Sequence, residues 1–300
     1  MTTQKHRLLL GAHMSIAGGI EESIERGASI GCTTIQIFTK SNRQWRMNPL
    51  KQQEIDAFKK NATHYNIYPI VAHATYLINI ASANKNTELA SINALSQELL
   101  RCDQLEIPYL VLHPGSASNA SPEECFKRLL ENLDKILETT PSNTMLLLEN
   151  MAGQGAALAS TLDQLATILH KSAYKKRLGI CLDTCHAFVA GYDLRTEKPY
   201  EQFWLDFDNS IGLEHLKVIH CNDSKKDLGS RIDRHEHIGK GKLGLATFEM
   251  LFNDKRFFEI PKILETPKIT QEPFAEDMMN METIYKLLWP ETKKILGIKD

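Results

Sequence analysis

Strand-length apolar runs alternate with helical patterns along the whole chain of 300 residues. Each run is rich in Val, Ile and Leu, as is typical of strands buried on both faces of a parallel sheet. Between the runs, apolar residues recur at spacings of three and four, as from Thr87 to Leu105, which indicates amphipathic helices outside the sheet. The eight runs lie at residues 8–13, 33–38, 69–73, 109–113, 144–149, 178–183, 216–220 and 261–265.

Eight strand–helix units predict a single-domain α/β fold, the (β/α)8 TIM barrel, over residues 1–300. Length alone would suggest two domains, but barrels of this size fold as one and no long polar linker divides the chain. The last predicted helix runs from Phe274 to Trp289, and Pro290 is expected to end it. Two loops after strands are unusually long and rich in Gly and charge, from Lys40 to Asn48 and from Cys221 to Gly244. In such barrels these loops build the active site at the C-terminal face.

Six of the apolar runs end in a side chain that can bind metal. In a parallel barrel the strand ends converge on one mouth, so these six side chains should meet there. A single histidine or carboxylate at a strand end is usually structural, but its recurrence at six ends favours a site for several metal ions. The six residues are His73, His113, Glu149, Asp183, His220 and Glu265.

Three further residues extend this candidate ligand set to nine. His186 follows Asp183 by three residues, so a short turn can bring it to the same mouth. Asp233 and His235 lie in the long loop after the seventh strand, and alternate residues of an extended segment point the same way. Three ligands per ion predict three metals of the zinc type, with a carboxylate able to bridge two of them. His13 should line the mouth without binding metal, and His237 is interpreted as structural.

The formal net charge of −2 and the pI near 6.6 argue against a broadly basic nucleic-acid coat. Basic residues are nevertheless concentrated in the two long loops, and in the first of them planar Gln44 and Trp45 lie between the basic side chains. Clustered divalent ions suit phosphoryl displacement, and these basic loops suit phosphate contacts. The basic residues are Lys40, Arg43 and Arg46 in the first loop and Lys225, Lys226, Arg231 and Arg234 in the second.

The six cysteines have neither CxxC spacing nor a disulfide framework, so they predict reduced thiols in a reducing compartment. The apolar run near the N-terminus is too short for a signal peptide, and no run has transmembrane length. The sequence therefore predicts a cytoplasmic protein with no membrane partner, and we expect a monomer.

Eight motifs, in order along nearly the whole chain, resemble the endonuclease IV family of apurinic/apyrimidinic (AP) endonucleases. The most specific are CLDTCHAFVAGYDL at residues 181–194 and VIHCNDSKKDLGSRIDRHEHIGKGKLG at residues 218–244. The others are GAHMSIAGG (11–19), QIFTKSNRQW (36–45), HATYLIN (73–79), LVLHPGS (110–116), LLLENMAGQG (146–155) and ILETP (263–267).

This resemblance implies a base-excision repair enzyme with three zinc ions, one of them replaceable by manganese. Such an enzyme cuts the phosphodiester 5′ to an abasic site in double-stranded DNA, leaving a 3′-hydroxyl and a 5′-deoxyribose phosphate, and trims blocked 3′ ends. The implied ligands are His73, His113 and Glu149 for the first metal, Glu149, Asp183, His220 and Glu265 for the second, and His186, Asp233 and His235 for the third. Glu149 and Glu265 would be catalytic, with Glu149 as the bridge. The expected DNA contacts are Arg43, Gln44, Tyr76, Leu77 and Arg231; Arg43, Tyr76 and Leu77 would enter the minor groove.

Two other functions remain open from the sequence. A sugar isomerase or epimerase of the xylose-isomerase type would use only Glu149, Asp183, His220 and Glu265 around one or two manganese ions. It would have no need of His73, His113, His186 or the Asp233 and His235 pair. A protein that binds damaged DNA without cutting it would not need a complete ligand set.

Overall fold

Eight parallel strands close into a barrel in the computed structural model, which describes residues 7–117, 120–270 and 272–298. Neighbouring barrel strands follow chain order, and β1 pairs with the last strand to close the ring. Each barrel strand coincides with one of the eight apolar runs, so the predicted (β/α)8 barrel is confirmed. The barrel strands are β1 Leu10–Met14, β2 Ile35–Phe38, β3 Ile70–His73, β4 Tyr109–Leu112, β5 Met145–Glu149, β6 Leu178–Asp183, β7 Leu216–His220 and β10 Lys262–Leu264. Strands β8 Asp223–Ser224 and β9 His235–Glu236 form a separate two-stranded sheet.

Helices separate the barrel strands along the chain and cover their outer faces. Two side-chain caps fall where capping residues occur in the sequence: Asn84 accepts from the backbone N–H of Asn86 and Thr87, and Ser121 from that of Glu124. The helices are α1 Glu22–Ser29, α2 Gln52–His64, α3 Lys85–Gln104, α4 Pro122–Thr139, α5 Leu162–Lys171, α6 Thr184–Ala190, α7 Glu197–Ser210, α8 Leu245–Asn253, α9 Ala275–Leu287 and α10 Pro290–Leu296. None of the helices in the described ranges combines the length and apolar character needed to cross a bilayer.

The core has two parts, one outside the barrel wall and one inside it. Between strands and helices lies a continuous apolar layer that includes Phe58, Leu99, Leu133 and Trp204. Inside the barrel, one buried apolar side chain from each of six strands forms a separate cluster. These six residues are Val71, Val111, Leu147, Cys181, Val218 and Ile263.

Three elements differ from the sequence prediction. Pro290 does not end the last predicted helix: α9 already ends at Leu287, and Pro290 begins α10, a first-turn position where no N–H is needed. The sequence predicted only a turn where helix α6 lies. Thr184–Val189 are all buried, so this segment lacks the polar face by which an amphipathic helix is recognised in a sequence. The hairpin of β8 and β9 has strands of two residues each, too short for an alternating pattern.

Candidate metal centre

The six strand-end residues project from the barrel mouth directly above the inner apolar cluster. Each lies two residues after a member of that cluster, as His73 follows Val71 and Glu149 follows Leu147. Side chains two apart on a strand share a face, so all six point into the barrel at the C-terminal end. The apolar layer beneath them closes the bottom of the site.

Glu149 occupies the middle of this mouth and is fully buried. Its Oε2 lies 3.2 Å from His73 Nε2 and 3.0 Å from His113 Nε2. Its Oε1 lies 3.0 Å from His220 Nδ1 and 3.5 Å from His186 Nδ1. The two oxygens of one carboxylate therefore face two different groups of histidines, which is the arrangement that a bridging ligand requires.

Donor atoms close enough to share an ion form groups that match the first two predicted sets. His73, His113 and Glu149 form one, and Glu149, Asp183, His220 and Glu265 form another, each with donor atoms within 4.8 Å of one another. Around the third position, Asp233 Oδ2 is 3.2 Å from His186 Nε2, and Asp233 Oδ1 is 3.3 Å from His235 Nε2. The close groups found there are Asp183 with His186 and His235, and buried Cys185 with Asp233 and His235, so the predicted third set is divided between two groups. The structure thus brings all nine predicted residues together.

Local structure carries the last three residues to the mouth. Asp183 caps α6, where its Oδ1 accepts from the backbone N–H of His186 at 2.7 Å, so the helix begins with His186 turned inward. His235 starts β9, whose pairing with β8 folds the long loop back over the barrel. Asp233 is held by its backbone N–H, which donates to Gln154 Oε1 at 3.1 Å.

The histidine hydrogen bonds test whether these residues suit a metal. His73 Nδ1 lies 2.7 Å from the Ala74 carbonyl, and His186 Nδ1 lies 2.9 Å from the Asn150 carbonyl. His235 Nδ1 similarly faces the Glu265 carbonyl at 3.1 Å. A carbonyl only accepts, so each Nδ1 carries a proton and each Nε2 faces the cluster, where it would offer its lone pair to a cation after losing its own proton. Histidines that bind metals are oriented in this way by an outer acceptor.

Two of those inward nitrogens lack a hydrogen bond among the described residues. His186 Nε2 and His235 Nε2 are buried and, although near Asp233, make no hydrogen bond with proper geometry. A buried polar atom without a partner is costly and needs an explanation. A cation between two imidazoles and a carboxylate explains both atoms, so the donor set fits the zinc-type ions expected from the sequence.

The electrostatics of the cluster favour ionised carboxylates. Burial would raise the pKa of Glu149, but the charges of His220 and His113 outweigh it and hold that pKa well below its usual range. Burial would lower the pKa of His186, but Asp183 and Asp233 raise it to about 10. Burial would likewise lower the pKa of His73, but the hydrogen bond and charge of Glu149 outweigh it and raise that pKa. In the absence of cations, protons on the histidines balance the carboxylates, and divalent ions would take their place.

Of the residues expected to contact DNA, most are exposed and Tyr76 lies beside this cluster. Arg43 and Gln44 are exposed, Tyr76 is 58% exposed, and Leu77 is half-buried. The Tyr76 ring lies 5.5 Å from that of His73 and 5.6 Å from that of His113, so it stands over the first group. Arg231 is exposed and has a left-handed backbone, with φ of 54°. Tyr76 is therefore at the mouth, and Arg43, Gln44 and Arg231 are open to solvent.

One basic residue of the first loop points the other way. Lys40 was expected to help contact phosphate, but it is only 7% exposed. Its ammonium group is turned inward, 3.6 Å from Glu98 Oε1. The sequence could not predict this direction, because it does not indicate that Glu98 of a distant helix is buried beside Lys40.

Gln36 is a residue of the site that the sequence analysis missed. It is fully buried on β2; its Nε2 donates to Glu265 Oε1 at 2.6 Å, and its Oε1 lies 2.7 Å from His220 Nε2. A carboxylate only accepts, so the amide nitrogen faces Glu265, and the oxygen holds the proton on His220 Nε2. His220 Nδ1 is then free to face Glu149. A glutamine inside the apolar run Ile35–Phe38 was the signal available in the sequence. Gln36 Nε2 also contacts His13, whose Nδ1 lies 3.0 Å away.

Replacing Gln36 with leucine is expected to weaken zinc binding about 10- to 100-fold, the usual effect of removing an outer hydrogen-bond partner. His220 would lose the acceptor that fixes its tautomer, and Glu265 its donor. Competition with a zinc-binding dye measures the affinity directly. Gln53→Leu, at an exposed position on α2, is the matched control; equal affinity for both variants would contradict the role given to Gln36.

Comparison with known proteins agrees with the barrel fold and with the family that the motifs resemble. Residues 24–284 match the family model described as xylose isomerase-like TIM barrel. The chain is 46% identical over 279 residues to a protein of Chloroflexus aurantiacus named probable endonuclease 4, covering 93% of this chain and 97% of that one. The crystal structure of endonuclease IV from Thermus thermophilus superimposes with a TM-score of 0.81 at 34% identity, covering 93% of this chain and 98% of the other. A D-tagatose 3-epimerase-like protein, at 21% identity and a TM-score of 0.67, covers 92% of this chain and shares the barrel fold. With the motifs, the barrel and these relatives in agreement, the chain belongs to the endonuclease IV family of xylose isomerase-like TIM barrels.

Proposed function

We propose that this protein is a DNA-repair endonuclease that hydrolyses the phosphodiester 5′ to an abasic site, leaving a 3′-hydroxyl and a 5′-deoxyribose phosphate. The observation that carries the proposal is the gathering of eight other ligand-type side chains around Glu149, with Arg43 and Tyr76 exposed. Activity on blocked 3′ ends follows from the same chemistry. We further propose that the chain acts as one domain and as a monomer, in the cytoplasm where its DNA substrate lies.

Three zinc ions are the proposed cofactors, one of them replaceable by manganese. His73 and His113 would hold the first with Glu149, and Asp183, His220 and Glu265 would hold the second with the same glutamate. His186, Asp233 and His235 would hold the third. When bound, such a cluster supplies Lewis acidity that lowers the pKa of water and neutralises the charge on a phosphodiester.

The protein groups orient this chemistry. The two oxygens of Glu149 face opposite histidine groups, which keeps two sites next to each other. Glu265 stays ionised because His220, with help from His13, outweighs its burial and holds its pKa far below the usual range. Gln36 holds the Glu265 carboxylate in one orientation, and the apolar layer below excludes water from the barrel interior.

Recognition of the lesion would come from the rim. Arg43, Tyr76 and Leu77 would enter the minor groove, while Gln44 and Arg231 contact the strand. Tyr76 stands over His73 and His113, so a residue inserted there would deliver an extrahelical nucleotide to the cluster. A nucleotide without a base is cheap to unstack and narrow enough to enter, which gives selectivity a physical source.

The direct test uses a labelled duplex with one abasic site and analyses both product ends. Cleavage at the 5′ side with a polymerase-extendable 3′-hydroxyl supports the proposal. Binding without cleavage at any metal concentration would instead support a non-catalytic damage-binding protein. An intact duplex lacking the abasic site is the control substrate.

A sugar isomerase remains the second candidate, because Glu149, Asp183, His220 and Glu265 form a four-residue group of the kind it needs. His73, His113, His186, Asp233 and His235 have no role in that reaction. Elemental analysis separates the two functions: about three zinc ions per chain favours the nuclease, whereas one manganese ion favours the isomerase.

Replacing Arg43 with alanine is expected to weaken binding to the abasic duplex more at low than at high salt. The guanidinium is exposed on the rim, and phosphate contacts gain their affinity from released counterions, so one lost contact lowers the slope of log affinity against log salt by about 0.9. Fluorescence anisotropy at several salt concentrations measures this slope. Lys127→Met, on an exposed face of α4, is the control; a salt-independent loss in Arg43→Ala would contradict a phosphate contact.

A further inference from the structure

The two loops that carry most of the proposed DNA contacts have no helix or strand of their own. Residues 39–51 connect β2 to α2 and carry Arg43 and Gln44, while residues 74–84 connect β3 to α3 and carry Tyr76 and Leu77. Ordering a loop on binding costs conformational entropy, which weakens the complex. A loop already held in place avoids that cost, so the contacts that hold these two loops bear on DNA affinity.

Lys40 fastens the first loop from within. Its Nζ donates to the carbonyl of Gln44 at 2.6 Å and to that of Ser41 at 3.3 Å. Both carbonyls flank Arg43, and Lys40 itself is almost fully buried. Charge-assisted hydrogen bonds of this kind are stronger than neutral ones and give an irregular backbone partners it otherwise lacks.

Glu98 of α3 links the first loop to the second. Its Oε1 lies 3.6 Å from Lys40 Nζ and accepts from the backbone N–H of Thr75 at 3.4 Å. Thr75 then donates its hydroxyl to the carbonyl of Asn42 at 2.7 Å, so the two loops are also bonded to each other. Glu98 is 1% exposed, and α3 is a helix of 20 residues packed on the barrel.

Arg101 fastens the two ends of the first loop from the same helix face. It lies three residues after Glu98, hence on the same side of α3. Its two terminal nitrogens donate to the carbonyls of Thr39 and Asn48, each at 2.7 Å. Three charged side chains are thus directed at loop backbone rather than at solvent.

We propose that Lys40, Thr75, Glu98 and Arg101, here called the loop brace, are positioning residues that hold both loops in the orientation required to engage an abasic duplex. The proposal rests on the proposed function. The loop brace contains none of the nine candidate ligands, so its effect on DNA can be separated from the metal centre. A buried charged pair contributes little stability compared with apolar residues of the same shape, which favours a role in specifying loop geometry.

Lys40→Met tests the loop brace with two substrates. On a duplex with a tetrahydrofuran abasic site, KM is expected to rise about tenfold, the effect of losing about one charge-assisted contact. On bis(4-nitrophenyl) phosphate, a small phosphodiester that reaches the mouth without the loops, kcat and KM should stay unchanged, as should zinc content. Lys40→Arg, which keeps the charge and the donors, should restore most of the duplex affinity.

Glu98→Gln is the second variant, and Lys127→Met is the matched control. The glutamine keeps an acceptor for the Thr75 N–H but cannot ionise opposite Lys40. Because burial already raises the pKa of Glu98 to about 7, a smaller rise in duplex KM is expected. It carries the test should Lys40→Met fail to fold. Lys127 pairs with Glu131 at 3.8 Å on an exposed helix face, and its removal should change neither substrate's kinetics.

Equal losses of kcat/KM on both substrates would show that these residues only support the fold, which contradicts the proposal. An unchanged duplex KM in both variants would also contradict it. These outcomes presuppose that the unsubstituted protein cuts the abasic duplex. If it does not, the proposed function fails and the loop brace fails with it. Cleavage by the unsubstituted protein with unchanged variants would contradict the loop brace alone.

Discussion

Glu149→Gln is expected to lower turnover on an abasic duplex by about 10²- to 10³-fold while the barrel stays folded. Each oxygen of the carboxylate lies within 3.5 Å of two histidine nitrogens, from His73 and His113 on one side and His186 and His220 on the other. An amide of the same shape offers one neutral oxygen, so two neighbouring cations would lose their shared anionic ligand. Bound metals supply several kcal/mol of transition-state stabilisation, and about 1.4 kcal/mol corresponds to a tenfold rate.

Single-turnover kinetics on the duplex measure the effect, together with zinc content and circular dichroism. Glu138→Gln, on an exposed position of α4, is the matched control and should behave like the unsubstituted protein. Unchanged turnover in Glu149→Gln would refute the bridging role. A lost far-ultraviolet signal would show instead that the ion pairs around Glu149 are needed for folding.

Removing the metals with a strong chelator is expected to abolish cleavage and leave the secondary structure in place. The apolar layers inside and outside the barrel wall do not involve the nine ligands, so their packing persists. Without cations, the charges of the centre are balanced by protons on histidine, which offer no Lewis acid. Zinc added back should restore cleavage, with elemental analysis giving about three ions per chain. Full activity after complete metal removal would contradict the proposed mechanism.

Metal loss should become easier as pH falls. The pKa of His73 and that of His186 are raised in the metal-free cluster, the latter to about 10, so protons compete with cations for these nitrogens even near neutral pH. Each unit of lower pH therefore favours the protonated, metal-free form. Zinc affinity measured from about pH 8 to about pH 6 should decrease steadily; an affinity independent of pH would show that the histidines do not exchange protons for metal.

The nine candidate ligands were predictable because their signal is local. Each strand end is visible as an apolar run, and the period of two that places Val71 inside the barrel also places His73 there. The segment from Asp183 to His186 was predicted to turn inward for a similar reason, although the cap that achieves this belongs to a helix that the sequence did not reveal. The prediction was possible where the spacing of residues in the sequence matches the repeat of the strand or turn that carries them.

The tertiary structure alone decided how these residues are oriented. The outer acceptors that determine which nitrogen of His73, His186 and His235 faces inward are backbone carbonyls, which no sequence pattern identifies. Gln36 reaches His220 across 184 positions of the chain. The sequence predicts Lys40 as an exposed phosphate contact, yet it faces Glu98 on a distant helix.

The sequence by itself determined which side chains end the strands at the barrel mouth, since that follows from the repeat along each strand. Their tautomers, pairings and direction depend on partners distant in the chain, and only folding brings those partners together.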